Sequence, residues 1–202
     1  MTDVAHVRLT GDQRREQLVA AARDVFLRHG LSGARTRTIA EYAGVSEALL
    51  YQHFASKQEL FAEAILQPLE ELTETLAVQC EQLPGLAGPQ RRDTSVEIHS
   101  ALLRTMVAIA PLLGLALHSQ AASGRSFYNE ELQPVLYRAV GSVERALRGW
   151  EHLEVNPSTL VSMMFGTYYW VGLQAHFTGE EVDISGLAGE VTNILVRAVG
   201  RA

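Results

Sequence analysis

The chain has 202 residues, of which 17 are lysine or arginine and 23 are aspartate or glutamate, for a formal net charge of −6. Residues 1–60 carry 8 basic and 7 acidic side chains, whereas the remainder carries 9 and 16. An acidic chain of this kind is not a general nucleic-acid coat protein, although it can still present a narrow basic face to phosphates. The length is sufficient for a small domain followed by a larger one.

The single cysteine, Cys80, excludes an intrachain disulfide and suits a reducing compartment. We expect no apolar run to reach the roughly 20 residues that a membrane span needs. The N-terminus lacks the charged-then-apolar order of a secretory signal. These features predict a cytoplasmic protein that has no membrane partner.

The first predicted helix begins at a capping box, Thr10-x-x-Gln13, in which each residue can satisfy a backbone amide of the other. Gly30 is expected to end this helix. Between Thr10 and Gly30 lies an apolar stripe at helical spacing, which is expected to pack against the next segment of the chain. The stripe consists of Leu18, Val19, Ala22, Val25 and Phe26.

The next segment predicts two short helices joined by a tight glycine turn. Gly44 ends the first short helix, and Ser46 caps the second, which has room for only about two turns before Phe54. A helix this short presents side chains rather than holding a core, as a DNA-recognition helix does. The side chains left to project are Glu47, Tyr51, Gln52 and His53.

A long helix follows at once, opened by a second capping box from Ser56 to Glu59. It is expected to run to about Leu83 and to bend at Pro68, because proline lacks the amide hydrogen that a helix interior needs. Lys57 stands in the first turn, where a cation is unfavourable for the helix dipole. This placement indicates that an anion such as a phosphate completes the site.

The rest of the chain also predicts helices, with no alternating strand pattern and no internal repeat. The expected elements are a loop at 84–92, helices at 93–110 and 111–122, a turn at 123–126, and helices at 127–150, from 156 onward, and at 185–199. The fold class is therefore all-α. We expect a helix-turn-helix DNA-binding domain at 1–60 and a helical ligand-binding and dimerisation domain at 61–202.

The run G-A-R-T-R-T-I-A-E-Y-A-G-V-S-E-A-L-L-Y-Q-H-F-A-S-K-Q-E-L-F resembles the N-terminal domain of the TetR-like transcriptional repressors. The resemblance covers residues 12 to about 66, and beyond them it is only architectural. It implies that Thr36 contacts the DNA backbone, that Arg37 reaches a base, and that phosphates are contacted by Tyr51, His53 and Lys57. The family often has Gly-Thr where this chain has Ala48-Leu49, so the phosphate contact of that threonine is not expected here.

The resemblance also implies a homodimer that binds double-stranded DNA and is released by a small-molecule inducer. In the family the last two helices of each subunit form a four-helix interface. Residues 160–177 are apolar around most of the helix, and the last helix carries an apolar stripe broader than one neighbour would cover, which suits that role. The alternative is that both stripes only close the core of a monomer.

Large adaptable side chains in the second domain could line a cavity for an apolar or aromatic ligand. The alternative is ordinary core, since aromatic and methionine stripes at helical spacing usually have that role. The candidate ligand contacts are Met106, His118, Phe127, Tyr128, Trp150, Met163 and Tyr168.

Motifs for catalysis, cofactors and metals are lacking in the sequence. The seven histidines include no pair at the i, i+4 spacing of a helical metal site, and there is neither a phosphate-binding loop nor a nucleophile elbow. The sequence therefore predicts a transcriptional regulator rather than an enzyme. The rival class is a helical small-molecule-binding or enzymatic protein without specific DNA binding.

Overall fold

A computed structural model describes residues 9–118, 121–148 and 156–199 of the chain. The described residues form helices joined by turns and loops, with no strand among them, so the predicted fold class is confirmed. The chain divides into two compact units, Met1–Ile65 and Leu66–Ala202. The division falls inside a helix, beyond the boundary expected at residue 60.

The described part of the first unit, from residue 9 onward, contains three complete helices and the start of a fourth. They are α1 (Gly11–Gly33), α2 (Thr36–Tyr42), α3 (Glu47–His53) and α4 (Lys57–Gln82), of which α4 continues into the second unit. The capping box at Thr10 is confirmed, because the Gln13 amide donates to the Thr10 hydroxyl at 3.3 Å and the Gln13 side chain accepts from the Thr10 amide at 3.0 Å. Gly30 breaks α1 with φ +65°.

The core of the first unit is built from the predicted apolar stripe of α1. Phe26 is fully buried and meets Phe61 of α4 edge to face, with ring centroids 5.0 Å apart. Gly44 has φ +68°, a conformation that favours glycine, and this lets the chain turn sharply between α2 and α3. Ile39 of α2 and Leu50 of α3 are both fully buried, so these side chains anchor the two short helices in the core of the unit.

The second unit is organised around α5 (Gly88–Leu117), against which the two last helices pack. The remaining helices are α6 (Ala121–Ser126), α7 (Gln133–Ala146), α8 (Pro157–Thr178) and α9 (Ile184–Val199). The predicted break at Pro111 is wrong, since α5 continues through it. Proline removes one helical hydrogen bond, but the neighbouring side chains of Ala110 and Leu112 are fully buried, and that burial outweighs the loss.

Two further local predictions were wrong. The segment expected as a loop at 84–92 contains a 3₁₀ turn at Leu83–Gly85, and α5 already begins at Gly88, with a proline in its first turn. The segment expected as a turn at 123–126 belongs to α6, which leads into a π-helical turn, Phe127–Leu132, before α7. Pro134 explains the widened turn, because a proline cannot donate to the carbonyl four residues earlier.

Among the described residues, α5 is long and apolar enough to cross a membrane by length and composition, with a mean hydropathy of 1.8 over its most apolar 18 residues. The expectation that no apolar stretch reaches this length was therefore wrong. In the structure α8 and α9 pack against this helix. A core helix of a folded domain passes the same test of length and composition.

The crossing of α5 and α8 depends on Gly172. A Cβ atom at this position would lie 2.6 Å from the Met106 carbonyl oxygen and 2.8 Å from the Ala110 Cβ. Because a helix backbone cannot yield cheaply, we expect Gly172→Ala to lower the free energy of unfolding by about 2–3 kcal/mol. Urea denaturation at one protein concentration measures this change.

Gly141 of α7 provides the matched control for this substitution. A Cβ atom there would meet only the end of the Arg145 side chain, at 3.6 Å. Alanine is the better helix former, so Gly141→Ala should raise the free energy of unfolding by up to about 1 kcal/mol. Equal effects of the two substitutions would contradict a tight helix crossing at Gly172.

Candidate DNA-binding site and ligand cavity

The short helix α3 is anchored on one side and exposed on the other. The Ser46 hydroxyl accepts from the Leu49 amide at 3.2 Å, which confirms the predicted cap. Leu50 is fully buried, whereas Tyr51 is 50 % exposed. Gln52 is also exposed, so α3 presents a polar surface rather than a core face.

Thr36, Glu47 and Tyr51 form a polar cluster that joins the first turn of α2 to α3. The Thr36 hydroxyl donates to the Glu47 carboxylate and lies 3.2 Å from the Tyr51 hydroxyl. Thr36 and Glu47 are half-buried. Three of the predicted DNA contacts are thus brought into one cluster on neighbouring helices.

The two predicted cationic contacts have different partners. The Lys57 ammonium donates to the Ala34 carbonyl oxygen at 3.0 Å. Ala34 lies two residues before Thr36, so the Lys57 ammonium lies near the start of α2. This carbonyl supplies negative character where the sequence suggested an anion. Arg37 pairs with Glu41 at 3.0 Å on the exposed surface of α2, with 79 % of its side chain exposed. An exposed pair of this kind contributes little, so Arg37 is available to another partner.

Arg15 of α1 positions α3, a role that sequence reasoning missed. Its guanidinium donates to the His53 carbonyl oxygen at 2.7 Å and lies 4.2 Å from the centroid of the Phe54 ring. It also pairs with Glu63 of α4 at 3.2 Å. The His53 side chain itself is half-buried at the end of α3. Arg15 and His53 are 38 positions apart in the chain, so no local pattern signalled this contact.

The second unit contains an apolar cavity with about 90 Å³ of free space. The residues that line it belong to α4, α5, α7 and α8. Its lining consists of Leu69, Leu72, Leu76, Cys80, Ile98, Leu102, Met106, Val135, Leu136, Ala139, Ser142, Val143, Val161, Met164, Phe165 and Tyr168. Sequence reasoning missed the α4 contribution, because apolar residues spaced three and four apart look the same whether they face a core or a cavity.

Of the predicted ligand contacts, Met106 and Tyr168 line this cavity. The structure does not bring His118, Phe127, Tyr128 and Met163 to it. Met163 is 65 % exposed, since the lining residues of α8 occupy another face of that helix. Tyr128 is 40 % exposed, Phe127 is half-buried, and His118 is exposed with its Nδ1 2.9 Å from the Gly114 carbonyl oxygen. Trp150 lies outside the described residues.

The cavity has no charged lining residue among those described. Burial raises the pKa of the Cys80 thiol to about 11, against a smaller opposing effect of Arg145, so the thiol stays protonated near neutral pH. A protonated thiol is a weak hydrogen-bond donor and a poor nucleophile. The arrangement suits binding of an apolar molecule.

A family model described as "Bacterial regulatory proteins, tetR family" matches residues 18–64. The transcriptional activator FasR of Mycolicibacterium smegmatis is 52 % identical over 60 residues, which are 30 % of this chain and 27 % of FasR. The transcriptional repressor AcnR of Corynebacterium diphtheriae is 33 % identical over 98 residues, 46 % of this chain and 51 % of AcnR. The chain thus spans between a quarter and a half of these relatives.

The whole fold also resembles solved structures. FadR from Bacillus subtilis, solved in complex with stearoyl-CoA, superposes with a TM-score of 0.67 at 19 % identity, covering 91 % of this chain and 98 % of FadR. This likeness concerns the fold, and it extends over both units of the chain.

Proposed function

Because the N-terminal domain of this chain belongs to the TetR family of bacterial regulatory proteins, we propose that the protein is a sequence-specific DNA-binding regulator of transcription. It acts as a repressor that leaves an inverted-repeat operator when a small apolar ligand binds. As such a regulator it works in the cytoplasm and catalyses no reaction.

The observation that carries this proposal is the exposed face of α2 and α3. It combines the Thr36, Glu47 and Tyr51 cluster with an exposed Arg37 and with Lys57, whose ammonium binds the carbonyl of Ala34 just before α2. Hydroxyls and cations bind phosphates, whereas an exposed arginine can reach a base edge in the major groove. Gln52 and His53 complete the proposed contact surface.

Selection of bound fragments from random duplex DNA tests the proposal. We expect a short inverted repeat, bound about a thousandfold or more tightly than scrambled duplex at the same salt concentration. The affinity should fall steeply as salt rises, because phosphate contacts release counterions. Equal affinity for the selected and scrambled duplexes would refute specific DNA binding and favour the rival class of helical binding protein.

Substitutions on this face should distinguish residues that bind phosphates from residues that recognise a base. Lys57→Ala is expected to weaken binding to all sequences by about 1 kcal/mol and to flatten the salt slope by about one. Arg37→Ala should instead change the selected motif at one position of each half-site. Repeated fragment selection with each variant measures both effects.

Arg28→Ala is the control for these variants, since Arg28 is an exposed arginine of α1 that lies beside Tyr42. It should leave both the motif and the affinity near those of the unmodified protein. An unaltered motif with Arg37→Ala would show that Arg37 reads no base.

The homodimer is supported by apolar side chains on the surface of the second unit. Met163, Trp170 and Phe177 of α8 are spaced seven residues apart and therefore share one face, and they are 65 %, 65 % and 81 % exposed. Ile194 of α9 is 67 % exposed. Contiguous exposed apolar surface marks an interaction site, and an inverted-repeat operator requires a second copy of the chain.

The ligand class is supported by the cavity, whose lining is aliphatic and aromatic. The stearoyl-CoA complex of FadR, which shares this fold, supports a ligand that carries an apolar chain. Met106 and Tyr168 are the proposed contacts from the sequence that lie on the cavity wall.

A further inference from the structure

A polar groove lies on the surface of the second unit, between α7 and the part of α4 that belongs to this unit. It has about 550 Å³ of free space and is open to solvent. Its walls carry two carboxylates and two guanidinium groups among smaller side chains. The described residues that line it are Glu70, Thr73, Glu74, Ala77, Arg138, Gly141, Ser142 and Arg145. No ligand contact predicted from the sequence is among them.

The groove and the apolar cavity occupy neighbouring faces of the same two helices. On α4, the groove residues Glu70, Thr73 and Ala77 each directly follow a residue that lines the cavity. Consecutive helix residues point about 100° apart, so the two spaces adjoin. On α7, Ser142 lines both the groove and the cavity. The shortest route between them therefore passes between α4 and α7 beside Ser142.

The guanidinium group of Arg145 lies at this junction. Its Nη2 atom donates to the Ser142 hydroxyl at 3.0 Å, and its Nη1 atom would be 3.6 Å from a Cβ atom built on Gly141. The charge also acts inside the cavity. Burial raises the pKa of the Cys80 thiol, and the positive charge of Arg145 partly opposes that rise. Arg145 is thus a groove residue whose charge reaches the cavity wall.

Arg145 lacks a counter-charge within the part of the chain that the structure describes. It is half-buried and forms no salt bridge there, whereas Arg138 pairs with Glu70 at 3.2 Å. The remaining carboxylate of the groove, Glu74, is exposed, so water screens its charge. A half-buried cation has lost part of its hydration and gains more from an added anion. The groove therefore favours an anion at Arg145.

The cavity itself offers no partner for a charged group. The Tyr168 hydroxyl is engaged with the Nδ1 atom of His99, 2.7 Å away, and both residues are buried. Burial lowers the pKa of His99 to about 4, so this ring is neutral near pH 7. A charged head group would lose its hydration in the cavity without compensation. Such a head group belongs in the groove, with the apolar part of the molecule in the cavity.

We propose that the ligand is amphipathic, with an apolar chain in the cavity and a terminal oxyanion, a carboxylate or a phosphate, bound by Arg145 in the groove. The chain passes between α4 and α7 beside Ser142. A guanidinium group suits this role because its planar N–H groups can bind two oxygens of one oxyanion. This inference rests on the proposed ligand response and adds the head group and the residue that binds it.

Four probes that share an eight-carbon chain test the proposal: octanoate, octyl phosphate, 1-octanol and octylamine. Titration calorimetry uses the full-length protein at pH 7.5, with each probe below the concentration at which it forms micelles. We expect one of the two anions to bind about tenfold more tightly than 1-octanol, and the tighter anion identifies the oxyanion. Tightest binding of octylamine would assign the head group to Glu70 and Glu74 and overturn the proposal, as would tightest binding of 1-octanol.

Arg145→Gln should weaken the tighter anion about tenfold and leave 1-octanol unchanged, because the charge is lost while an amide donor remains for Ser142. Arg145→Lys restores the charge and should recover part of the anion affinity. Arg148→Gln is the matched control, since Arg148 is exposed three residues further on and does not line the groove. Equal losses of anion affinity with Arg145→Gln and Arg148→Gln would overturn the assignment.

Glu74→Gln provides a second test that does not depend on the folding of an Arg145 variant, because Glu74 is exposed. Removing this carboxylate from the groove should strengthen anion binding about twofold and leave 1-octanol unchanged. A loss of anion affinity in this variant would contradict an anion in the groove.

Operator binding is measured on the same samples to separate the two levels of inference. If the unmodified protein binds its operator but binds neither anion better than 1-octanol, the assigned role of Arg145 is wrong and DNA recognition stands. If it binds no operator, the proposed function fails whatever the ligand preference.

Discussion

Replacing Trp170 with glutamate is expected to turn a dimer into a monomer and to lower affinity for the inverted-repeat operator about a thousandfold. Trp170 is 65 % exposed in the single chain, so a charge there costs the monomer little. In a dimer interface the same charge would be buried without a partner. The loss is large because each subunit alone contributes only one two-turn recognition helix. Sedimentation at micromolar concentration and operator titration at one salt concentration measure the two effects.

Tyr137→Glu is the matched control for this experiment. Tyr137 is an aromatic residue of α7 in the same unit, 67 % exposed, and it belongs neither to the α8 face nor to the cavity lining. This variant should remain dimeric and bind the operator normally. Ile194→Glu on α9 should behave like Trp170→Glu, whereas Leu187 is half-buried and a charge there would also disturb folding. If the unmodified protein sediments as a monomer, the proposed dimer is wrong.

Filling the cavity with its ligand is expected to weaken operator binding about a hundredfold. That release requires about 2.7 kcal/mol of difference between the ligand affinities of the DNA-free and DNA-bound proteins. By thermodynamic linkage, the operator must weaken ligand binding by the same factor. Titrating an apolar compound with and without operator, and the operator with and without compound, measures both sides of this equality.

Ala139→Phe should abolish the release without abolishing DNA binding, because Ala139 lines the cavity and the added ring occupies its free space. Ala108→Phe is the control, since Ala108 is exposed on α5 and lies outside the lining. It should keep the ligand response. Release of the Ala139→Phe variant by the same compound would place the ligand elsewhere. A compound that stabilises the protein but leaves operator affinity unaltered would refute coupling for that compound.

Short-range signals were sufficient for the first unit. The caps at Thr10 and Ser46 and the turn at Gly44 act within three or four residues, so their chemistry could be read directly from the chain. The bounds of α2 and α3 follow from them. The ligand contacts were harder to predict from the sequence. The apolar pattern of α8 includes both Met163 and Tyr168, whereas only Tyr168 lies at the cavity.

The local pattern of residues thus decided that the chain is helical, where its first helices begin, and which short helix displays polar side chains. Folding of distant segments together decided that α5 passes through Pro111, that Arg15 supports α3, and that His99 meets Tyr168. The physical reason is the distance along the chain between the residues that interact. Caps and turns are satisfied by neighbouring residues, whereas burial and cross-helix hydrogen bonds depend on partners dozens of residues away, which no local pattern identifies.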